Sequence, residues 1–196
     1  ESLDHVEKII KNNPDVIVIV DEAYIDFGGE TALPLIDKYD NLVVVRTFSK
    51  SRSMAGLRIG YAISNPELIK ALNDVKYSYN SYTMNRPSLV LGVESIHDDA
   101  YFREKVGQII ATRERFVKEI AELGFTCLPS SANFVFATHE SIPAKEIFAA
   151  AKENNIYVRY FDKPRIDNYL RISIGTDAEM DAFVAFLKGY VETKQN

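Results

Sequence analysis

NLVVVRTFSKSRSMAGLRIGYAI, residues 41–63, runs from a β-branched apolar segment into a polar turn and then into a second apolar run. LVVV, 42–45, has no polar alternation, the pattern of a strand buried on both faces. Lys50 stands where the chain leaves that strand, with Thr47 and Ser49 just before it and Arg58 eight residues later. An isolated Ser-Lys pair would read as surface. Two hydroxyls and a guanidinium around one lysine instead form a cup suited to a phosphate, because arginine presents a planar fork of donors.

Upstream, VIVIV, 16–20, is a second continuous β-branched run, expected to be buried on both faces. It follows a helix with Val6, Ile9 and Ile10 on its apolar side and Asn12-Asn13-Pro14 as its stop. RIGYAI, 58–63, supplies a third strand. Strands alternating with helix and loop indicate an α/β layer with an at least partly parallel sheet. Three strands leave a sheet edge that another segment or chain would have to cover.

A domain boundary is expected near Asn85-Arg86-Pro87, giving units 1–86 and 87–196. Beyond it a long helix is expected over about 99–123, with Phe102, Val106, Ile109, Ile110, Phe116, Val117 and Ile120 at helical spacing and Gly124 as its stop. ANFVFAT, IYVRYF and YLRISI read as strands. Pro143 opens a helix that turns Ile147, Phe148 and Ala151 inward, and Thr176-x-x-Glu179 is a capping box for the last helix. Together these describe a smaller α+β domain. Tyr77, Tyr79 and Tyr82 fall at strand-like or irregular spacing and read as core and interface packing at the junction.

The chain has 196 residues, 46% of them hydrophobic, and a formal charge of −5. Mild acidity without a basic tract argues against a nucleic-acid partner. The apolar runs are too short to span a membrane. Cys127 is alone and cannot form an internal disulfide, which suits a reducing cytoplasm. His5, His97 and His139 lack metal-ligand spacing and read as solvated or boundary residues. The chain opens at Glu1 with helix running straight into strand, so it is expected to begin partway through a larger domain.

In VIVIVDEAYIDF, Asp21 and Glu22 fall at the C-terminal end of a buried strand, where open α/β sheets bind ligands. An ordinary strand-ending acid and the Asp-Glu of an ATPase Walker B strand both fit that pattern. The ATPase reading lacks a G-x-x-x-x-G-K-[ST] phosphate loop in this sequence. If the strands carrying Asp21 and Lys50 are neighbours, an acid, a lysine and a phosphate cup converge. That set suits pyridoxal phosphate, which takes a lysine Schiff base and a charged partner for its ring nitrogen.

The strand-DEAY and TFSK-S-x-S-M-A-G-L-R-I-G-Y motifs resemble the fold-type I pyridoxal-phosphate aminotransferases of class II. DEAYIDF, SKSRSMAGLRIGY and VRYF…LRISIGT are most similar to the histidinol-phosphate branch. The resemblance covers essentially the whole chain and implies its architecture: part of a three-layer α/β large domain, then the α+β small domain. It implies that Lys50 forms the Schiff base and shuttles a proton, that Asp21 pairs with the ring nitrogen and that Tyr24 bonds the ring oxygen. Thr47, Ser49 and Arg58 would hold the phosphate; for Thr47 a plain strand-end hydroxyl remains as good a reading. Arg171, with Arg159 on an adjacent strand, would grip the substrate anion, although strand arginines also snorkel to solvent.

The implied reaction interconverts histidinol phosphate plus 2-oxoglutarate and imidazole acetol phosphate plus glutamate, in a homodimer, with Tyr82 and Asn85 near the subunit interface. An aromatic-amino-acid aminotransferase, a threonine-phosphate decarboxylase and a non-catalytic fragment are the alternatives. The family's upstream phosphate-binding helix and ring-stacking aromatic have no counterpart here, so this chain alone is expected to be inactive.

Overall fold

Ser2 starts the chain's regular structure by accepting the His5 amide at the mouth of α1 (Leu3–Asn12). The computed structural model of the chain describes residues 1–195. It divides into two compact units, one ending at Glu104 and the other beginning at Lys105. The long helix α4 (Asp99–Ala121) runs through that division, whereas Asn85-Arg86-Pro87 opens a helix: Asn85 caps α3 (Arg86–His97) by accepting the Ser88 amide at 2.9 Å.

In the first unit, β1 (Val18–Asp21) pairs parallel with β2 (Leu42–Thr47), and β2 pairs antiparallel with β3 (Gly60–Ile63). Strand alternation sends Val18, Val20, Leu42 and Val44 to one face, where Ile10, Ala32 and Leu35 close a small core. Asn41 ties that corner together by donating to the carbonyls of Asn13 and Val16 at 2.8 and 3.0 Å. The opposite face departs from expectation. Ile19 is 64% exposed and Ile17 54%, so β1 is buried on one face only, because no described element covers the other.

α2 (Pro66–Tyr79) and α3 were not foreseen as helices. Tyr77 and Tyr79 lie on α2 and, like Tyr82 after it, are exposed rather than packed in a core. The tyrosine spacing misleads because it masks the helical period that Leu68, Leu72, Val75 and Tyr79 carry at i, i+4, i+7 and i+11, behind the Asn65 cap and Pro66.

The second unit is an antiparallel sheet, order β4-β5-β7-β6, from β4 (Phe125–Cys127), β5 (Phe134–His139), β6 (Arg159–Tyr160) and β7 (Leu170–Ser173). Val135, Ala137, Leu170 and Ile172 share one core with Phe116 and Ile120 of α4, Ile147 of α5 (Ala144–Glu153) and Leu187 of α6 (Asp177–Gln195). Gly124 ends the α4 turn at φ 85°, a left-handed position that glycine adopts without strain. His139 is buried rather than solvated. Its Nδ1 accepts the amides of Ser141 and Ile142, which leaves Nε2 to donate to the Leu123 carbonyl at 2.9 Å.

The capping box forms as the sequence predicts. Glu179 accepts the Thr176 amide at 2.8 Å and its hydroxyl at 2.9 Å. Those bonds hold the Glu179 carboxyl below its ordinary pKa, and hydrogen bonds from Arg115 and Thr112 do the same for Asp177. Carboxyls with lowered folded-state pKa stabilise above the ordinary value near pH 4, and that contribution is lost as pH falls through the lowered pKa. Urea midpoints measured against pH should therefore drop below about pH 4, and Glu179→Gln should flatten part of the drop. Thr176→Ala should cost about 1 kcal/mol at neutral pH.

Candidate active site

Asp21 closes β1 opposite Val45 of β2, and its exposed carboxylate accepts the Ala23 amide at 3.0 Å. Because the two strands are parallel neighbours, β2 runs two residues further and then turns out at Phe48, delivering Lys50 to the same end of the sheet. Tyr24 opens a 3-10 turn, Ile25–Phe27. The Lys50 amine lies 5.4 Å from the centre of the Tyr24 ring, within cation–π range. The acid, the phenol and the lysine that the motifs single out are thus brought to one strand end by pairing alone.

The loop between β2 and β3 closes on itself. The β2–β3 ladder ends at Thr47 opposite Gly60, and the Phe48 amide extends it by one bond, donating to the Ile59 carbonyl at 3.0 Å. The Thr47 hydroxyl donates to that same carbonyl at 3.2 Å and accepts the Ser49 amide at 3.0 Å. It is engaged in closing the loop. Ser49 and Arg58 consequently leave the end of the ladder on its two sides. Arg58 is exposed, its Nη1 donates to the Ala55 carbonyl at 2.9 Å, and its backbone is left-handed at φ 56°. Ser53 shares that conformation at φ 55°. Left-handed backbone costs a non-glycine residue on the order of 1–2 kcal/mol, and such strain concentrates at ligand-binding loops.

One face of α3 supports the loop from below. Ser88, wholly buried, donates to the Leu57 carbonyl at 3.1 Å, and Gly92 packs tightly against Ile59, where an added Cβ would lie 3.0 Å from Cδ1. Further along, Ser95 accepts a hydrogen bond from Arg52. Residues 88, 92 and 95 recur at the spacing of one helix face.

Several groups at the site were assigned no role in the candidate chemistry by the sequence, although most lie within its motifs. Glu22, beside Asp21, is buried and accepts from Arg46 Nε and Nη2 at 3.0 and 2.9 Å, from the Thr31 hydroxyl, whose oxygen lies 2.9 Å from each carboxylate oxygen, and from the Ala32 amide at 2.6 Å. Burial works against the Arg46 charge, but the Glu22 pairing outweighs it and the guanidinium pKa is raised. The available signal was Arg46 itself, a charged residue at the end of an apolar strand that needs a buried partner. Ser51 donates to Asp26. Cys127 is no candidate nucleophile, since burial pushes its thiol up to about 11. Among the described residues no acid, histidine and cysteine cluster could hold a metal, and no helix is long and apolar enough to cross a membrane.

In the second unit, Arg159 of β6 and Arg171 of β7 are direct cross-strand partners, so they share a face, and Phe136 flanks Arg171 on the other side. The Arg171 guanidinium lies 5.1 Å from the Phe134 ring and that of Arg159 lies 5.4 Å from Phe161. Arg171 Nε is buried with no hydrogen-bond partner among the described residues. A buried donor without an acceptor is costly, and a bound anion or a water would satisfy it.

The model of "Aminotransferase class I and II" matches residues 2–187. A histidinol-phosphate aminotransferase of Brachyspira hyodysenteriae is 52% identical over 188 residues, 95% of this chain and 53% of that protein. The crystal structure of the histidinol-phosphate aminotransferase from Clostridium acetobutylicum superposes with a TM-score of 0.88 at 25% identity, over 97% of this chain and 59% of that one. That of the Sinorhizobium meliloti histidinol-phosphate aminotransferase in complex with pyridoxal-5'-phosphate gives 0.81 at 27% identity, over 95% and 53%. The chain therefore spans about half the length of the relatives it matches, with the mixed α/β architecture of the fold-type I aminotransferases. It belongs to the class I and II aminotransferase family.

Proposed function

We propose that this chain carries the lysine-bearing part of a pyridoxal-phosphate aminotransferase that interconverts histidinol phosphate plus 2-oxoglutarate and imidazole acetol phosphate plus glutamate. The observation that carries the reading is the Lys50 amine held over the Tyr24 ring at the strand end that Asp21 shares. The donor set fits the cofactor: an amine for its aldehyde, a carboxylate for its ring nitrogen, and Ser49 and Arg58 for its phosphate, with Thr47 holding the loop that carries them. Pyridoxal phosphate, when bound, supplies an electron sink for the negative charge left where a proton departs.

The chain's own residues divide the remaining work. Lys50 would hold the aldehyde and would move the proton at the substrate Cα; a lysine suits both roles because its pKa is readily tuned. Asp21 would keep the ring nitrogen protonated. Tyr24 donates to the ring oxygen. Arg171 and Arg159 receive the substrate's anion, and two adjacent guanidinium groups suit both the carboxylates of glutamate and the phosphate of histidinol phosphate. The names of the similar proteins support that substrate pair over an aromatic amino acid. We assign the working enzyme to a cytoplasmic homodimer and expect the 196-residue chain alone to be inactive, because it spans about half of its relatives.

The test is to mix the chain with pyridoxal phosphate, reduce with borohydride and map the product by mass spectrometry. One adduct per chain on Lys50 supports the reading; labelling scattered evenly over the lysines sinks it for this chain. A second measurement probes the anion site. Arg171→Met removes a buried donor that lacks an acceptor, so the stability read from urea unfolding should hold or rise by up to about 1 kcal/mol. Binding of glutarate, followed by calorimetry, should be lost in the same variant. A large fall in stability would make Arg171 structural instead.

A further inference from the structure

The residue after Lys50 is buried and spends its hydroxyl on a neighbouring turn. Ser51 is 7% exposed and donates to Asp26 Oδ2. Asp26 sits in the 3-10 turn Ile25–Phe27, which Tyr24 opens, and Phe27, the last residue of that turn, is fully buried. Two pairs thus join the same two segments. Lys50 reaches Tyr24 through its amine, and Ser51 reaches Asp26 through its hydroxyl. The loop's main chain offers less restraint there. The Lys50 carbonyl accepts the Ser53 amide in a turn whose fourth residue is left-handed, and Lys50 lies beyond the last bond of the β2–β3 ladder.

We propose that Asp26 and Ser51 are positioning residues for Lys50: their hydrogen bond clasps the lysine loop to the tyrosine turn and so sets where the amine lies. The clasp uses no atom of the cofactor or substrate and acts only through its two neighbours. A charged acceptor makes such a bond roughly twice as strong as a neutral one. A flexible amine otherwise samples positions that an aldehyde fixed by its phosphate would not meet. A displacement of about 1 Å at a reacting group can cost on the order of a hundredfold in rate. This inference rests on the reading of Lys50 as the aldehyde-binding amine, and the experiment separates the two.

The 196-residue chain and its Ser51→Ala, Asp26→Ala, Asp26→Asn and double Ser51→Ala/Asp26→Ala variants are each followed in two ways. Folding is checked by urea midpoint. The rate of pyridoxal phosphate capture at Lys50 is read by quenching with borohydride at intervals and mapping every lysine. Both alanine variants should slow capture at Lys50 about tenfold while other lysines keep their rates, and the double variant should be no slower than either single one. Asp26→Asn keeps an acceptor oxygen and should restore most of the rate. Equal rates at Lys50 in the parent chain and Ser51→Ala, or rates that fall only in step with the urea midpoint, overturn the clasp.

If the parent chain shows no preference for Lys50, the functional reading is what fails. Trace acetylation with acetic anhydride then decides the clasp. Release of Lys50 from its half-buried place should speed its acetylation about threefold in the alanine variants. An unchanged rate refutes it.

Discussion

Lys50→Ala should abolish selective capture of pyridoxal phosphate, lowering adduct formation in that loop by roughly a hundredfold or more and leaving only slow, scattered labelling of surface lysines. The reason is proximity: an aldehyde whose phosphate is anchored reacts with the neighbouring amine as a unimolecular step, and no free lysine matches that effective concentration. Arg58 cannot substitute, because a guanidinium stays protonated in proteins and offers no lone pair to a carbonyl. Lys50→Arg should therefore be as defective as the alanine variant, although it keeps the charge near Tyr24. Folding should be nearly unaffected in both. Lys50 is half-buried at a loop and its cation–π contact is worth about 0.5–1 kcal/mol at an exposed site. Mapping by mass spectrometry with a parallel urea titration checks both halves. A Lys50→Ala chain that still gives one adduct per molecule would place the attachment elsewhere.

How much of this was legible in the sequence depends on how local the information is. Lys50, Ser49 and Arg58 lie within one short motif, and the β-branched run before them fixes the strand end from which they project. Asp21 was legible because parallel neighbours carry their C-terminal ends to the same side, and the β1–β2 register bears this out. Arg159 and Arg171 were expected on adjacent strands, and the register makes them direct partners. The Ser51–Asp26 bond spans 25 residues and depends on the conformation of the 3-10 turn Ile25–Phe27. Nothing in residue spacing encodes that. α2 was legible too, from Asn65-Pro66 and the helical spacing of Leu68, Leu72, Val75 and Tyr79, but the irregular steps of Tyr77, Tyr79 and Tyr82 obscure it, and its apolar side chains are exposed rather than in a core. β4 and the shortness of β6 escaped because strands of three and two residues are held by their ladder partners more than by their own composition.

Glu22→Ala should destabilise the first unit by about 3–5 kcal/mol, the largest stability effect expected here. The carboxylate side chain is 4% exposed and collects bonds from Arg46, Thr31 and the Ala32 amide. Truncation leaves a guanidinium that is itself only 21% exposed, and a buried amide, without their acceptor. Breaking one side of a buried pair costs more than the pair contributes, because the remaining charge has been removed from water and has nothing to bond. Glu22→Gln should cost less, since the amide oxygen can still accept the Ala32 N–H, and Glu22→Leu with Arg46→Met should recover much of the loss by removing both charges. Amide exchange at Ala32, together with the urea midpoint, reads the effect where it arises. The neighbouring acid should behave in the opposite way. Asp21 is exposed and caps only the Ala23 amide, so Asp21→Asn should shift stability by no more than about 0.5 kcal/mol while weakening capture of pyridoxal phosphate. Two adjacent carboxylates at one strand end would then be told apart by experiment, since alternation along the strand turns one toward the site and the other into the fold. Equal stability losses in the two variants would refute that division.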